Sequence, residues 1–214
     1  MKTINRFITE RLKINKDSKV VKYNYFPESW SELRVLLSQL MKERGPNADL
    51  NDIDVSKVDT FYYSWQKIGL FENLNPRNIN ISKWNVSNID DMSYMFRDCR
   101  YFNCNLSKWN VSRVENMHGM FDECENFTGE GLERWNVSNV EDMGFMFFGC
   151  KKFTGKALEN WKVIKLKDMN HMFRKCTSLN CNLSKWDVSS VKIMQYAFDD
   201  CPSLKNKPSW YIYK

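Results

Sequence analysis

The stretch LSKWNVSRVENMHGMFDECENF, residues Leu106–Phe127, decides the fold because the chain repeats it. Trp84, Trp109, Trp135, Trp161, Trp186 and Trp210 follow one another at intervals of 25, 26, 26, 25 and 24 residues. Cys99, Cys124, Cys150, Cys176 and Cys201 keep the same beat, as do Met92, Met117, Met143, Met169 and Met194 and the phenylalanines from Phe96 to Phe198. Several residue types in one register over successive units mark a repeat array in which one unit cannot bury its apolar side alone and its neighbours complete the core.

Each unit divides in two. Leu106, Trp109 and Val111 fit LxxLxL with Trp in the middle apolar place, which reads as a strand; Ile81/Trp84/Val86, Leu132/Trp135/Val137, Leu158/Trp161/Val163 and Leu183/Trp186/Val188 repeat it. Val114, Met117, Met120 and Phe121 then advance by helical steps along one apolar face. Ser112 with Glu115 matches the S-x-x-E capping box of a helix start, and Ser87/Asp90, Ser138/Glu141 and Ser56/Asp59 match it too. Ile164 takes the serine position in the fourth unit, where a weaker or shifted helix start is expected. The fold class that follows is α/β: a leucine-rich-repeat-like solenoid with parallel strands, one short helix per repeat and an N-terminal helical cap.

The expected boundaries are a basic leader over residues 1–22, a strand-helix cap over 23–49, a divergent first repeat with an insertion over 50–80, and the repeat array with a C-terminal strand cap over 81–214. In the cap, Val20–Phe26 reads as a strand. Ser29 and Glu32 then precede the stripe Leu33, Leu36, Leu37, Leu40 and Met41, and Gly45-Pro46 stops the helix. Leu50, Ile53 and Val55 give a first rung without its Trp, and Trp210 and Ile212 a last partial strand.

At 43% hydrophobic and 14% aromatic, the 214 residues can bury a real core. No apolar run reaches the length of a membrane span. The N-terminus reads without a secretory signal, so a cytoplasmic or virion-associated protein is expected. The net charge of +6 is concentrated in the leader, where seven Lys and Arg stand against Glu10 and Asp17.

Units such as NLSKWNVSRVENMHGMFDEC resemble the W-[DN]-V-S-x-V-x-[DN]-M-x-x-M-F-x-x-C repeats of BspA-like leucine-rich-repeat proteins, and GPNADLNDIDVSKVDTF (residues 45–61) resembles the usual lead-in to such arrays. The resemblance covers roughly residues 28–212. It implies a parallel solenoid used as a recognition surface, in a family of surface proteins that adhere to host components. MKTINRFITERLKINKDSKV is similar to leaders of Bacteroides-infecting, crAss-like phage proteins, which implies a role in packaging or assembly.

The ladder cysteines are too far apart for a zinc pattern and read as small buried hydrophobes; Cys104 and Cys181 fall outside the ladder. His118 and His171 occupy different places in the repeat and build no catalytic set, so an enzyme is not expected, nor a cofactor or metal. The repeated Asn-x-Ser/Thr sequences follow from the repeat consensus. In the strand reading, Lys83, Lys108, Arg134, Asn160 and Lys185 stack in one exposed column, and Asn85, Asn110, Asn136, Lys162 and Asp187 in the next.

The expected function is therefore non-enzymatic binding of a protein or surface glycan through Lys83, Lys108, Arg134, Lys185, Asn85, Asn110 and Asn136. The alternative is a structural or packaged virion component. Nucleic acid is not the expected partner, because the Trp column reads as buried and no exposed aromatics are evident for base stacking. In the leader, Ile4, Phe7, Ile8 and Leu12 stand at helical steps and suit either a cap helix or a docking tag.

Overall fold

The computed structural model describes residues 23–63 and 68–212. The leader, with Ile4, Phe7, Ile8 and Leu12, lies outside the described residues.

Helix α1 spans Trp30–Arg44 and follows the sequence closely. The Ser29 hydroxyl accepts from the Glu32 N–H at 3.3 Å, and the Glu32 carboxylate accepts from the Glu28 N–H at 2.9 Å. Leu33, Leu37, Leu40 and Met41 are buried. Gly45, at φ 79°, ends the helix with its N–H on the Met41 carbonyl. Arg44 pins the helix end to Asp52 at 2.8 Å, and the Trp30 indole donates to the Phe61 carbonyl at 3.2 Å, seating the cap on the first rung. Tyr62–Tyr63 (β1) and Ile68–Gly69 (β2) form a small antiparallel hairpin. Gly69 is obligatory there, since a Cβ would collide with the Tyr94 carbonyl.

The expected α/β solenoid is not what the repeats build. Among the described residues α1 is the one α-helix, and parallel pairing is confined to isolated single-residue bridges. The predicted strand half is a turn: the Trp109 N–H donates to the Leu106 carbonyl, and Trp84, Trp135, Trp161 and Trp186 do the same in their units. The predicted helical half is a succession of turns. Met95 bonds back to Met92, Cys99 to Phe96 and Phe102 to Cys99, each three residues away. Within the array the parallel bridges fall in this second half, through Asp91, Asn116, Asp142 and Asp168, while those of Tyr25 with Ile53 and of Asp49 with Asn80 tie the cap and first rung. Two 3-10 turns, Leu132–Arg134 and Lys156–Leu158, add the remaining helical character. The C-terminal strand expected at Trp210 and Ile212 is also a turn, closed from Tyr211 to Pro208.

Two features explain why no helix forms. Each unit carries two left-handed residues four apart, such as Tyr94 (φ 54°) and Asp98 (φ 57°), or Gly119 and Glu123, and a helix admits neither. The backbone donors are also directed elsewhere. Met92, Tyr94, Phe96 and Asp98 donate to the carbonyls of Asn116, His118, Met120 and Asp122 in the next unit at 2.8–2.9 Å. The same four-bond seam recurs at each of the next three junctions. The S-x-x-E sequences therefore cap nothing in the array, and Ile164 disturbs no helix start: the Leu166 to Val163 turn closes at 3.0 Å as in other units.

The core is the one the repeat predicts. Trp109, Trp135, Trp161 and Trp186 stack at 6.4–6.5 Å with ring planes within 9°. The phenylalanines from Phe71 to Phe198 stack at 5.3–5.8 Å. Each ladder indole donates to a carbonyl of the preceding unit, as Trp109 does to Ile81 and Trp161 to Leu132. The ladder thiols also do more than fill space: Cys124 donates to the Phe96 carbonyl at 3.0 Å and Cys176 to Phe147 at 2.9 Å. Tryptophan and cysteine thus join packing to an inter-unit hydrogen bond in a low-dielectric interior, where a lost partner is costly.

Candidate functional site

The residues of the basic column expected from sequence stand in turns and not on a strand. Lys83, Lys108, Arg134 and Lys185 occupy the third place of four of the five Leu/Ile-x-x-Trp turns, Asn160 that of the fifth, and all are exposed. The turn is fixed by the buried apolar residue before it and the locked Trp after it, so Lys83, Lys108 and Arg134 project at successive units from a rigid support and Lys185 follows one unit further on, past Asn160. Arg134 sits 3.9 Å from Glu133. Asn85, Asn110 and Asn136 are exposed too, but their side-chain oxygens turn inward on the chain. They accept from the N–H groups of Ser87, Ser112 and Ser138 at 3.1–3.2 Å. These are Asx turns, which account for the recurrent Asn-x-Ser without any sugar. Asp187 does the same for Ser189, and the carboxylate is held below its usual range by that hydrogen bonding.

A second column escaped the sequence reading. Tyr94, His118, Phe145, His171 and Tyr196 form a continuous ring contact along the array, with centroids 5.2, 5.6, 4.5 and 4.9 Å apart. The rings are half-buried, except Tyr196, which is 53% exposed. They come from two different places in the repeat, and glycines reconcile them. At Gly119 a Cβ would meet the Tyr94 ring at 2.7 Å, and at Gly144 one would meet His118 Nδ1 at 2.9 Å. The missing side chains leave the space that the neighbouring rings fill. The two histidines, apart in register, thus enter one aromatic ribbon.

Polar groups line this ribbon. His118 Nδ1 lies 3.1 Å from Asp142, and Arg97 covers the Tyr94 ring at 5.4 Å while reaching Asp122 at 3.5 Å. Arg174 lies over Tyr196 at 5.9 Å and Lys175 over Phe148 at 5.1 Å. Burial pushes the Asp122 carboxyl up to about 7, with Asp98 and Glu123 adding to the rise and Arg97 opposing it. Burial and the Arg174 charge lower His171 from the ordinary imidazole range.

Among the described residues no cluster of three or more His, Cys, Asp or Glu is arranged to hold a metal ion. The ladder thiols are free and buried, and burial raises Cys124, Cys150 and Cys176 far above the ordinary thiol range. Cys104 is buried, while Cys181 and Cys201 are half-buried. The hollow lined by Phe26, Pro27, Asp54 and Lys57 has a volume of 230 Å³, below the roughly 300–1,000 Å³ usual for a small-molecule site. Among the described residues, no helix is long and apolar enough to cross a membrane.

No curated protein and no solved structure matches the chain. A family of repeat proteins does, over residues 36–131 and again over 124–213. Those two segments take in the second half of α1, the hairpin and the turn-built units that carry both columns, and on that match the chain belongs to the family described as Mycoplasma protein of unknown function, DUF285.

Proposed function

We propose that the chain is a non-enzymatic binding module for a protein or surface glycan, with the basic column as its recognition surface. One observation carries this reading: Lys83, Lys108, Arg134 and Lys185 are presented exposed at the same place in four of the five units, with exposed Asn160 in the remaining one, from turns locked by buried tryptophans. Fixed spacing on a rigid support lowers the ordering cost of binding an acidic, extended ligand. The resemblance of the repeats to BspA-like proteins, which act as adhesive surface proteins, supports the same reading.

The test is a paired capture from host lysate, read by mass spectrometry, with the wild-type chain and the variant K83E/K108E/R134E/K185E. Loss of specific partners at an unchanged thermal midpoint supports the reading; partners retained by the variant overturn it. The leader supports a second reading, in which the protein is a packaged virion component addressed by residues 1–22. Partners that vanish on deletion of residues 1–22, yet survive the four substitutions, favour that reading.

A further inference from the structure

We propose that the aromatic ribbon from Tyr94 to Tyr196 is a second docking surface, which takes an extended Lys/Arg-rich peptide segment. The proposal does not rest on the basic column, which belongs to other turns of the same units.

The ribbon has the composition of an interaction surface. It joins Tyr, His and Phe rings from successive units into one half-exposed strip edged by arginines, whereas most aromatics of the array are sealed in the core. Two of its rings already hold cations from the chain itself, Arg97 over Tyr94 and Arg174 over Tyr196, and Lys175 lies over Phe148, which contacts Phe145 at 5.7 Å.

Charge selects the occupant. Over the first three units, the two positions before each leading Met supply Asp90, Asp91, Glu115, Glu141 and Asp142. The two positions after each Phe supply Asp98, Asp122 and Glu123, with Arg97 the one cation in these places. Over these three units eight carboxylates stand against one guanidinium; in the last two units the same positions hold Asp168, Asp199 and Asp200 with Lys167, Arg174, Lys175 and Lys192, so the acidic stretch is the Tyr94–Phe145 part of the ribbon. Asp90, Glu115 and Glu123 enter no ion pair among the described residues, and Asp90 and Glu115 are exposed. An extended peptide with closely spaced Lys or Arg can place its cations on rings and carboxylates together. A neutral glycan would use the rings alone and leave the carboxylates without a role.

The experiment measures binding of fluorescein-labelled nona-arginine to the full chain by anisotropy, with nona-glutamate and a neutral glucan hexaose as comparison probes. Nona-arginine is expected to bind, more weakly as salt rises, and the other two probes are not. D90N/E115Q/E123Q is expected to weaken binding about tenfold at low salt. Phe145→Gly is expected to weaken it about fivefold with an effect that persists at high salt, because it removes a ring. Gly119 stands at the matching place in its own unit, so the backbone tolerates the change. K83E/K108E/R134E/K185E should leave peptide binding intact, which separates this surface from the basic column. Absence of nona-arginine binding overturns the proposal, as does binding indifferent to Phe145→Gly. Capture of the hexaose without the peptide overturns it in favour of a glycan surface.

Discussion

The indole N–H of Trp135 donates to the carbonyl oxygen of Leu106 at 3.1 Å, across 29 residues of sequence. That carbonyl also closes its own turn with the Trp109 N–H at 3.1 Å. One oxygen therefore ties a turn shut and fastens the next unit to it. Trp135→Phe keeps an aromatic ring in the stack but loses the inter-unit bond and part of the buried indole volume, so it should cost about 1–3 kcal/mol. Trp135→Ala also opens a cavity and should cost about 3–5 kcal/mol. Urea denaturation of the two variants checks the split; a Trp135→Phe variant as stable as the wild type would mean that the bond carries nothing, and equal losses would mean that the stacked ring adds nothing beyond it.

Thiol reactivity tests the second ladder. Cys99, Cys104, Cys124, Cys150 and Cys176 are buried, and burial raises their thiols, whereas Cys181 and Cys201 are half-buried with thiols pushed up to about 12 and about 11. A chromogenic disulfide reagent at neutral pH should label only Cys181 and Cys201 in the native protein, and those slowly. All seven cysteines should react at once in guanidinium. Rapid native labelling of Cys150 would show that the core is not closed.

The core was legible in the sequence and the backbone was not, for one physical reason. Apolar residues three apart, as in Met117-x-x-Met120, satisfy a helix face and a chain of β-turns equally well. The choice lies in the left-handed positions Tyr94, Gly119, Phe145, His171 and Tyr196, of which only Gly119 shows a residue type that announces φ > 0. The same disguise hid the aromatic ribbon. His118 and His171 differ by one place in register, and only the space left at Gly119 and Gly144 brings their rings into line. The cap helix needed no such detail: its N-cap serine, leucine stripe and Gly45-Pro46 stop are local, and all three are present.

Gly119 should tolerate no side chain. Its φ of 58° is strained for alanine, and the added Cβ would meet the Tyr94 ring at 2.7 Å. Gly119→Ala is expected to cost about 1–3 kcal/mol and to shift the Tyr94 ring resonances. Gly45→Ala, where nothing lies within 4 Å, should destabilise through its backbone alone, held at φ 79° and ψ −178°, and leave the Tyr94 ring resonances in place. Thermal denaturation with NMR of the Tyr94 ring decides between the two.

Asp122 sets a pH dependence. Burial pushes its carboxyl up to about 7 in the folded chain, against about 3.9 when unfolded. The unfolded chain therefore loses this proton first as pH rises, and stability falls between about pH 4 and pH 7. Asp122→Asn removes that loss. The variant should become progressively more stable relative to the wild type across this window and hold the full advantage above pH 7. Thermal midpoints of both proteins at intervals of pH test the sign; a variant that weakens at high pH would show that the Arg97 ion pair outweighs burial.

The fourth unit offers a gain of stability. Lys162 and Ile164 stand where other units have Asn or Asp and then Ser, so this unit lacks the Asx turn that Asn110 makes with Ser112 at 3.1 Å. Ile164 is also 53% exposed, an apolar side chain without a core to enter. The backbone turn from Val163 to Leu166 is already in place at 3.0 Å, so the replacement needs no rearrangement. Lys162→Asn with Ile164→Ser should therefore raise stability by about 0.5–1 kcal/mol, the worth of one local hydrogen bond. Each single substitution supplies half of the sequence pair; Asn alone already brings the acceptor and should give most of the gain. Urea midpoints of the two singles and the double measure this. A double variant that is more stable yet binds a captured partner less well would place Ile164 in the contact surface, because no folded-state contact then explains keeping an exposed isoleucine there.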